Sequence, residues 1–521
     1  MRLQLDMFAV ELGAAILLQF ETEDGIVRVL ADAGEAKHHV DAKLAHAIDG
    51  FTEDNDYRDI HIDLMIGTHY DSDHLAGLVA IIEDPKVTIG EAWMPPVAND
   101  AAPKAGLVAP GDADYLALQF ARDDGDAVLQ RYLDHKADIC VRLAAAEREG
   151  DEVRALFRFD EGDKASAFMS FSKARPGEAT RPNRDFFEWH LEDANRTLGR
   201  DPGGHADEVI EDPWTDWAPD PLEVFAGPLP SSLPDLSKSW SSFRPDRAEV
   251  EAPALALIRR AAAKDAITAT SLAAVVKALK ARNVPIACRT IADGKPRPFV
   301  WSKADKRFVP GAQISAEGPA LLLLGPSDSL VRKQWARLPI GDYATKIAYM
   351  DLPIEPITPS NQLSYILRVD YGEARILVTG DAGCVDFKPS TIGAYHPALI
   401  EALAPLDVIQ VAHHGGMNAH FYRCLLAANY AAQESASFLL LSHATNDKHR
   451  PSSVFAKFIE EVRKDGDDVQ LVFTSQPKDE KVRDFKALFA PVVGSPGSSG
   501  DVQMRFDQTG WTVTAHAVAA P

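Results

Sequence analysis

IDLMIGTHYDSDHLAGLVAII, running from Ile62 to Ile82, opens as a buried strand and closes as an apolar helix. Between the two lie four candidate ligands, His69, Asp71, Asp73 and His74, within six residues. Imidazole nitrogens and carboxylate oxygens are the donors that borderline and hard divalent ions take. In an extended segment alternate side chains share one side, so His69, Asp71 and Asp73 are expected to converge. A turn at the helix start then brings in His74. The bland alternative is a polar loop in an acidic chain. Placement of the whole run directly after a strand favours metal ligation over it.

The 521 residues suggest about three domains by length alone. With 46% hydrophobic and 25% charged residues the composition is that of a soluble globular protein. No run of about twenty apolar residues marks a membrane span. The opening MRLQLDMFAVELGAAILLQF does not read as a signal peptide, because Asp6 and Glu11 interrupt it. The four cysteines, Cys140, Cys288, Cys384 and Cys424, show no paired spacing, which points to a reducing compartment, the cytoplasm by default. A net charge of −23 argues against broad duplex binding, whose affinity comes from neutralising phosphates. It leaves room for an anionic substrate held locally by metal ions.

Three textures succeed one another. Residues 1–97 are rich in short β-like runs, LQLDMFAV, AAILLQF, IVRVLAD and KVTIGEAWM among them. Residues 98–285 form a mostly helical insertion. Helical spacing marks 113–149 and 252–282, and between them lies a stretch dense in proline with Trp189, Trp214, Trp217 and Trp240. Residues 286–521 return to β-runs, including ALLLLGPS, SFLLLSHA and VQLVFTS, and close on a hairpin, VQMRFDQTGWTVTAHAV. One β-rich fold with an insertion is therefore expected. Leaving near Pro95–Val97, the insertion should form a lid or wall at the site, or a surface for a protein partner, and a linker in its place should leave an intact core.

The ligand run resembles the metallo-β-lactamase superfamily, whose motif is H-x-H-x-D-H, with Asp71 here standing where most members have a second histidine. The H-x-D-x-D-H form is similar to the subgroup that includes the hydrolase domain of bacterial competence DNA-uptake channels and the choline-phosphate esterases of bacterial surfaces. VRVLADAG, with Asp32 and Gly34, resembles the family's early strand and turn. SNQLSYILRVDYGEARILVTGDAG resembles its later Gly-Asp strand, giving Asn361, Ser364 and Asp381. DVIQVAHHGG matches its His-His-Gly turn, giving His413 and His414, and LLLSHATNDKHRPSS gives Asn446 and His449. These matches cover roughly residues 1–97 and 286–480; the insertion matches nothing of the kind.

The resemblance implies an α/β fold, the αββα sandwich, with two divalent ions, zinc or manganese, at one rim. Asp381 would bridge ions about 3.5–4 Å apart. His69 and Asp71 would hold one, Asp73 and His74 the other, and His413 or His414 would complete a shell. His443 is a further candidate ligand, with a structural or substrate-binding role as the equal alternative. Asp73, Asp381 and His449 are the expected catalytic residues, and Asn361, Asn446, Lys448 and Arg450 the expected substrate contacts. Lys448, His449 and Arg450 form a basic run suited to clamping a phosphate or carboxylate. The implied activity is hydrolysis by metal-bound hydroxide, on a phosphodiester of a nucleotide or nucleic acid. The alternatives are an ester, lactone or amide hydrolase, and a metal-binding scaffold. One departure stands out. Many members carry a ligand histidine in a Pro-Gly-His turn, and ITPSNQLS has Ser360 and Asn361 in its place.

Overall fold

The computed structural model describes residues 2–52, 60–101, 114–148, 182–197, 248–314, 318–337, 359–387, 395–416, 418–431, 437–447, 450–464, 469–475, 499–507 and 509–517. Sixteen strands among them build two eight-stranded sheets. The first contains β1 (Leu3–Met7), β2 (Ile16–Thr22), β3 (Gly25–Ala31), β4 (Ile60–Ile66), β5 (Val87–Trp93) and β6 (Ile286–Ala287), with β15 (Gly500–Asp507) and β16 (Gly510–Ala517) on the β1 side. The second runs β14 (Val469–Phe473), β13 (Ser437–Leu441), β12 (Val408–Gln410), β11 (Ala374–Val378), β10 (Ile366–Tyr371), β9 (Ala320–Gly325), β7 (Arg297–Ser302), β8 (Arg307–Pro310). The protein is thus α/β, with helices set around two large mixed sheets.

Strands buried on both faces read as unbroken apolar runs, whereas one-sided strands alternate. ALLLLG of β9 and SFLLL of β13 are buried throughout, and one continuous core draws on both sheets. The sheets meet through aromatic contacts: Phe20 lies 5.4 Å from Tyr371 and Trp93 lies 4.8 Å from Phe299, ring centre to ring centre. Such edge-on and tilted pairs add to the area that they bury.

Within each sheet the strands that matter to the site run parallel. β3, β4 and β5 are parallel, as are β11, β12, β13 and β14. Parallel strands discharge their loops at one edge, where α/β proteins gather their functional groups. Asp32 follows β3, the ligand run follows β4, Asp381 follows β11, His413 and His414 follow β12, and His443 follows β13. At this edge Tyr365 donates its backbone N–H to the Thr68 carbonyl at 2.7 Å, stitching one sheet to the other.

The outer face of β1 carries a buried polar strip where the helix α1 (Val40–Thr52) lies over it. Gln4 and Gln19 both donate to the carbonyl of Ala47, at 3.2 and 3.1 Å, and Asp6 accepts from Gln4 and Gln503. Burial raises the Asp6 carboxyl from 3.8 to about 6, against the lowering pull of these amides and of Arg505.

The insertion is joined more tightly than its sequence suggests. Two short helices lie at the end of the ligand run and just after it, α2 (Ser72–Leu75) and α3 (Leu78–Glu83), and the described insertion holds α4 (Leu116–Phe120), α5 (Gly125–Arg148), α6 (Arg184–Thr197) and α7 (Ala248–Ala281). Leu133, Cys140, Phe187 and Ala263 belong to a small core of their own among α5, α6 and α7. The second half of α7 does not: Leu272, Val275, Val276 and Leu279 belong to the main core. The second half of α7 thus supplies one wall of that core, and a linker in place of 98–285 would have to do without it. Of the four insertion tryptophans, only Trp189 lies within the described residues, on α6.

Leu272→Ala is accordingly expected to cost about 2–5 kcal/mol, the range for deleting a buried leucine, measurable by chemical denaturation. Loss of less than ~1 kcal/mol would place α7 outside the core.

A second expectation concerns pH. The folded Asp6 carboxyl binds its proton more tightly than the unfolded one, so this group destabilises the fold above pH 6. That penalty relaxes as pH falls from about 6 to 4. The difference is on the order of 3 kcal/mol. Asp6→Asn should raise the melting temperature at pH 7.5 and lose that advantage towards pH 4.5; an unchanged gap across the range contradicts the assignment.

Candidate metal centre

The ligand run leaves β4 at Gly67 and turns under the control of Asp32. Asp32 follows β3 with a left-handed backbone (φ 59°) and accepts from the Thr68 backbone N–H at 2.7 Å, the Thr68 hydroxyl at 2.5 Å and His74 Nδ1 at 2.8 Å. That last bond fixes the proton on Nδ1 and leaves Nε2 as the nitrogen with a lone pair to offer, the usual arrangement behind a ligating histidine. Ala33 adds a backbone bond to the His74 carbonyl at 2.9 Å. Helix α2 starts at Ser72, two residues earlier than an extended reading through Asp73 allows. Asp71 is its N-cap, so Asp73 is carried by a helical turn and is half-buried, while His69, Asp71 and His74 are buried.

The second sheet brings Asp381 to meet them. Gly380, at φ 50°, makes the turn after β11. A side chain there would come within 2.8 Å of the Ser364 Cβ and 3.0 Å of the Thr68 hydroxyl, so glycine is required where the two sheets press together. Ser364 accepts from the Asp381 backbone N–H at 3.2 Å and donates to the Asn361 carbonyl at 2.6 Å. Asn361 itself lies with its amide nitrogen 3.4 Å from Asp381 Oδ2. His413 and His414 both adopt left-handed backbone after β12, at φ 51° and 56°. Two consecutive non-glycine residues in that region store strain that the surroundings must hold in place. Asn418 does part of this, donating to the Asp381 carbonyl at 2.9 Å.

Around Asp381 four imidazoles divide between its two oxygens. His74 Nε2 and His414 Nε2 lie 3.5 and 3.8 Å from Oδ1; His69 Nε2 and His413 Nε2 lie 3.7 and 4.0 Å from Oδ2. These separations exceed hydrogen-bond lengths. Two donors about 2.1 Å from one tetrahedral ion stand roughly 3.4 Å apart, close to the shorter of these spacings. His69 Nε2, His74 Nε2, Asp71 Oδ1 and Asp381 Oδ1 are buried with no hydrogen-bond partner among the described residues. Buried polar atoms are ordinarily satisfied, and these four, gathered around the Asp381 carboxylate and the Asp71 loop, fit a site for a cation. Asp73, His74 and His414 bring one donor atom each within 4.8 Å of the others. Asp32, His69 and His74 do so too, but both Asp32 oxygens already accept hydrogen bonds, so Asp32 is placed to orient His74 and not to join a metal itself.

Charge leads to the same conclusion. Burial acts first to lower His74, yet Asp381 and Asp32 outweigh it and push the imidazolium up to about 10. Burial, followed by Asp71 and Asp381, raises Asp73 to about 6 despite the opposing pull of His74. His69 is held well below the ordinary range by burial and by the neighbouring His74. The carboxylates of this cluster are short of positive charge, which divalent ions would provide.

The remaining sequence candidates fall elsewhere. His443 is buried, but its Nε2 donates to the Arg450 carbonyl at 2.8 Å and its Nδ1 pairs with the Ser475 hydroxyl at 3.0 Å. Both nitrogens are engaged away from the cluster, so the structural alternative describes it and the ligand reading does not. Arg450 is buried and donates to His413 Nε2 at 3.1 Å. Asn446 is exposed on the loop between them, and Lys448 and His449 lie outside the described residues.

One site residue carried no signal in the sequence. Lys264, on α7, places its ammonium 2.6 Å from Asp71 Oδ2, and Asp71 more than offsets burial to raise its pKa. The next residue, Asp265, accepts from the Tyr70 hydroxyl at 3.2 Å and pairs with buried Lys136, which also holds Asp100 at 2.8 Å. The insertion therefore grips this loop at Tyr70 and Asp71.

No protein-family model matches the chain, and no curated protein matches it.

Asp32→Ala should weaken divalent metal affinity about 10–100-fold by freeing the His74 ring, the usual effect of removing a ligand's outer partner. His74→Ala should abolish tight binding altogether. Metal titration with a chromophoric chelator as competitor checks both; unchanged affinity in either variant would remove the site from this edge.

Proposed function

We propose that the chain is a metal-dependent hydrolase of the metallo-β-lactamase kind, acting on a phosphodiester of a nucleotide or short nucleic acid with zinc or manganese. The observation that carries this reading is the convergence of His74, His414, His69 and His413 on the two oxygens of a buried Asp381, with Asp73 grouped beside His74 and His414. His69, Asp71, Asp73, His74, Asp381 and His414 would hold the metal. A bound divalent ion supplies Lewis acidity and makes hydroxide available near pH 7. Asp73, half-buried at the mouth of the cluster, is the residue suited to accept a proton from an attacking water. Asp381 fixes the geometry of both halves of the site.

Two cations stand at the cluster, Lys264 against Asp71 and Arg450 against His413, and their charge favours an anionic phosphate diester over a neutral ester or lactone. The net charge of −23 opposes an extended duplex footprint and favours a substrate recognised at one phosphate.

Metal-loaded protein is expected to cleave bis(p-nitrophenyl) phosphate and short oligonucleotides faster than lactones or β-lactams. Asp381→Asn should lower turnover by roughly 100-fold or more with an unchanged circular dichroism spectrum. Near wild-type turnover in that variant, or hydrolysis confined to lactones or β-lactams, would overturn the proposal.

A further inference from the structure

The two halves of the centre are not alike. On the Oδ1 side of Asp381, Asp73, His74 and His414 supply three more donors, a complete four-coordinate set. On the Oδ2 side the corresponding donors face protein cations. Lys264 is bound to Asp71 Oδ2 at 2.6 Å. Arg450 donates to His413 Nε2 at 3.1 Å, and an arginine has no lone pair, so that nitrogen must be the acceptor. His413 Nδ1 correspondingly faces the Asn418 side-chain oxygen at 3.3 Å. Asn361 presents its amide nitrogen to Oδ2. Only His69 Nε2 and Asp71 Oδ1 remain as donors on this side with no hydrogen-bond partner among the described residues.

We propose that the chain binds one divalent ion tightly, on the Asp73–His74–His414–Asp381 side, and that Lys264 and Arg450 stand in the other half as permanent positive charges that take the substrate's phosphate. This deepens the metallohydrolase reading and rests on it. It departs from the expectation of two ions. The physical ground is that an ammonium 2.6 Å from Asp71 and a guanidinium on His413 neutralise the same donors that a second ion would use. A second ion would have to displace both cations, each held by other contacts: Arg450 also lies 3.8 Å from Asp447, and Lys264 belongs to a helix anchored in the main core. Lys264 is the more open of the two, with 29% of its side chain exposed, so it can meet a ligand without leaving Asp71.

The experiment is manganese loading of the full chain, read by elemental analysis after dialysis and by electron paramagnetic resonance. Wild type should hold one ion per chain, with the six-line signal of an isolated ion. Lys264→Met, alone or with Arg450→Met, should take up a second ion and give the broadened spectrum of an exchange-coupled pair, while Lys264→Arg should keep the count at one. Inorganic phosphate, titrated into the one-ion protein, should bind at least about tenfold more weakly to Arg450→Met than to wild type when that single variant still holds one ion. Two tight ions in wild type would overturn this inference and leave the hydrolase reading intact; no bound ion at all would overturn both. A count of one in Lys264→Met and in the double variant, or unchanged phosphate affinity in Arg450→Met, would also overturn it.

Discussion

Burying the carboxylate of Asp381 where two sheet edges meet is the constraint on which the rest of the site depends. A lone buried carboxylate is costly unless charge or hydrogen bonds compensate it. Here the immediate surroundings are four imidazoles, along with further acids. Protonating His74 compensates in part, which is why its imidazolium is held up to about 10. A divalent ion compensates more completely. The geometry that makes this work is set elsewhere: by Asp32, which turns His74; by Gly380, which lets the sheets close together; and by the left-handed pair His413 and His414.

The same constraint explains the role of α7. Its second half fills the main core, so its position is fixed by burial of Leu272, Val275 and Val276. Its middle then delivers Lys264 and Asp265 to the ligand loop as a consequence of that packing. Lys136, wholly buried, would be costly without Asp100 and Asp265. Together these pairs tie the insertion to the Tyr70–Asp71 segment, so the insertion acts as part of the site's wall. In an acidic chain, Lys264 and Arg450 are positive charges placed against Asp71 and His413 of the cluster.

Local pattern determined a good deal by itself. Apolar runs ending in polar turns marked strands β1 to β5 and β9 to β14 because buried strands have no other way to cover both faces. The ligand run after β4 and the Gly-Asp after β11 were legible because the chemistry they suit needs particular residue types at the ends of strands. The helical stretches around 113–149 and 252–282 were legible from their period. Tertiary structure decided what spacing could not. It separated His414, whose Nε2 approaches Asp381 Oδ1, from His443, whose two nitrogens serve Arg450 and Ser475. It made Asp71 a helix cap, and so lifted Asp73 out of the extended alternation. It brought Lys264 across nearly two hundred residues to Asp71, a contact with no trace in composition or period. Which residues are chemically able to bind a metal is a property of residue type and can be read along the chain. Ligand partnership is a property of distance between strands and helices remote in sequence, and only packing sets that distance.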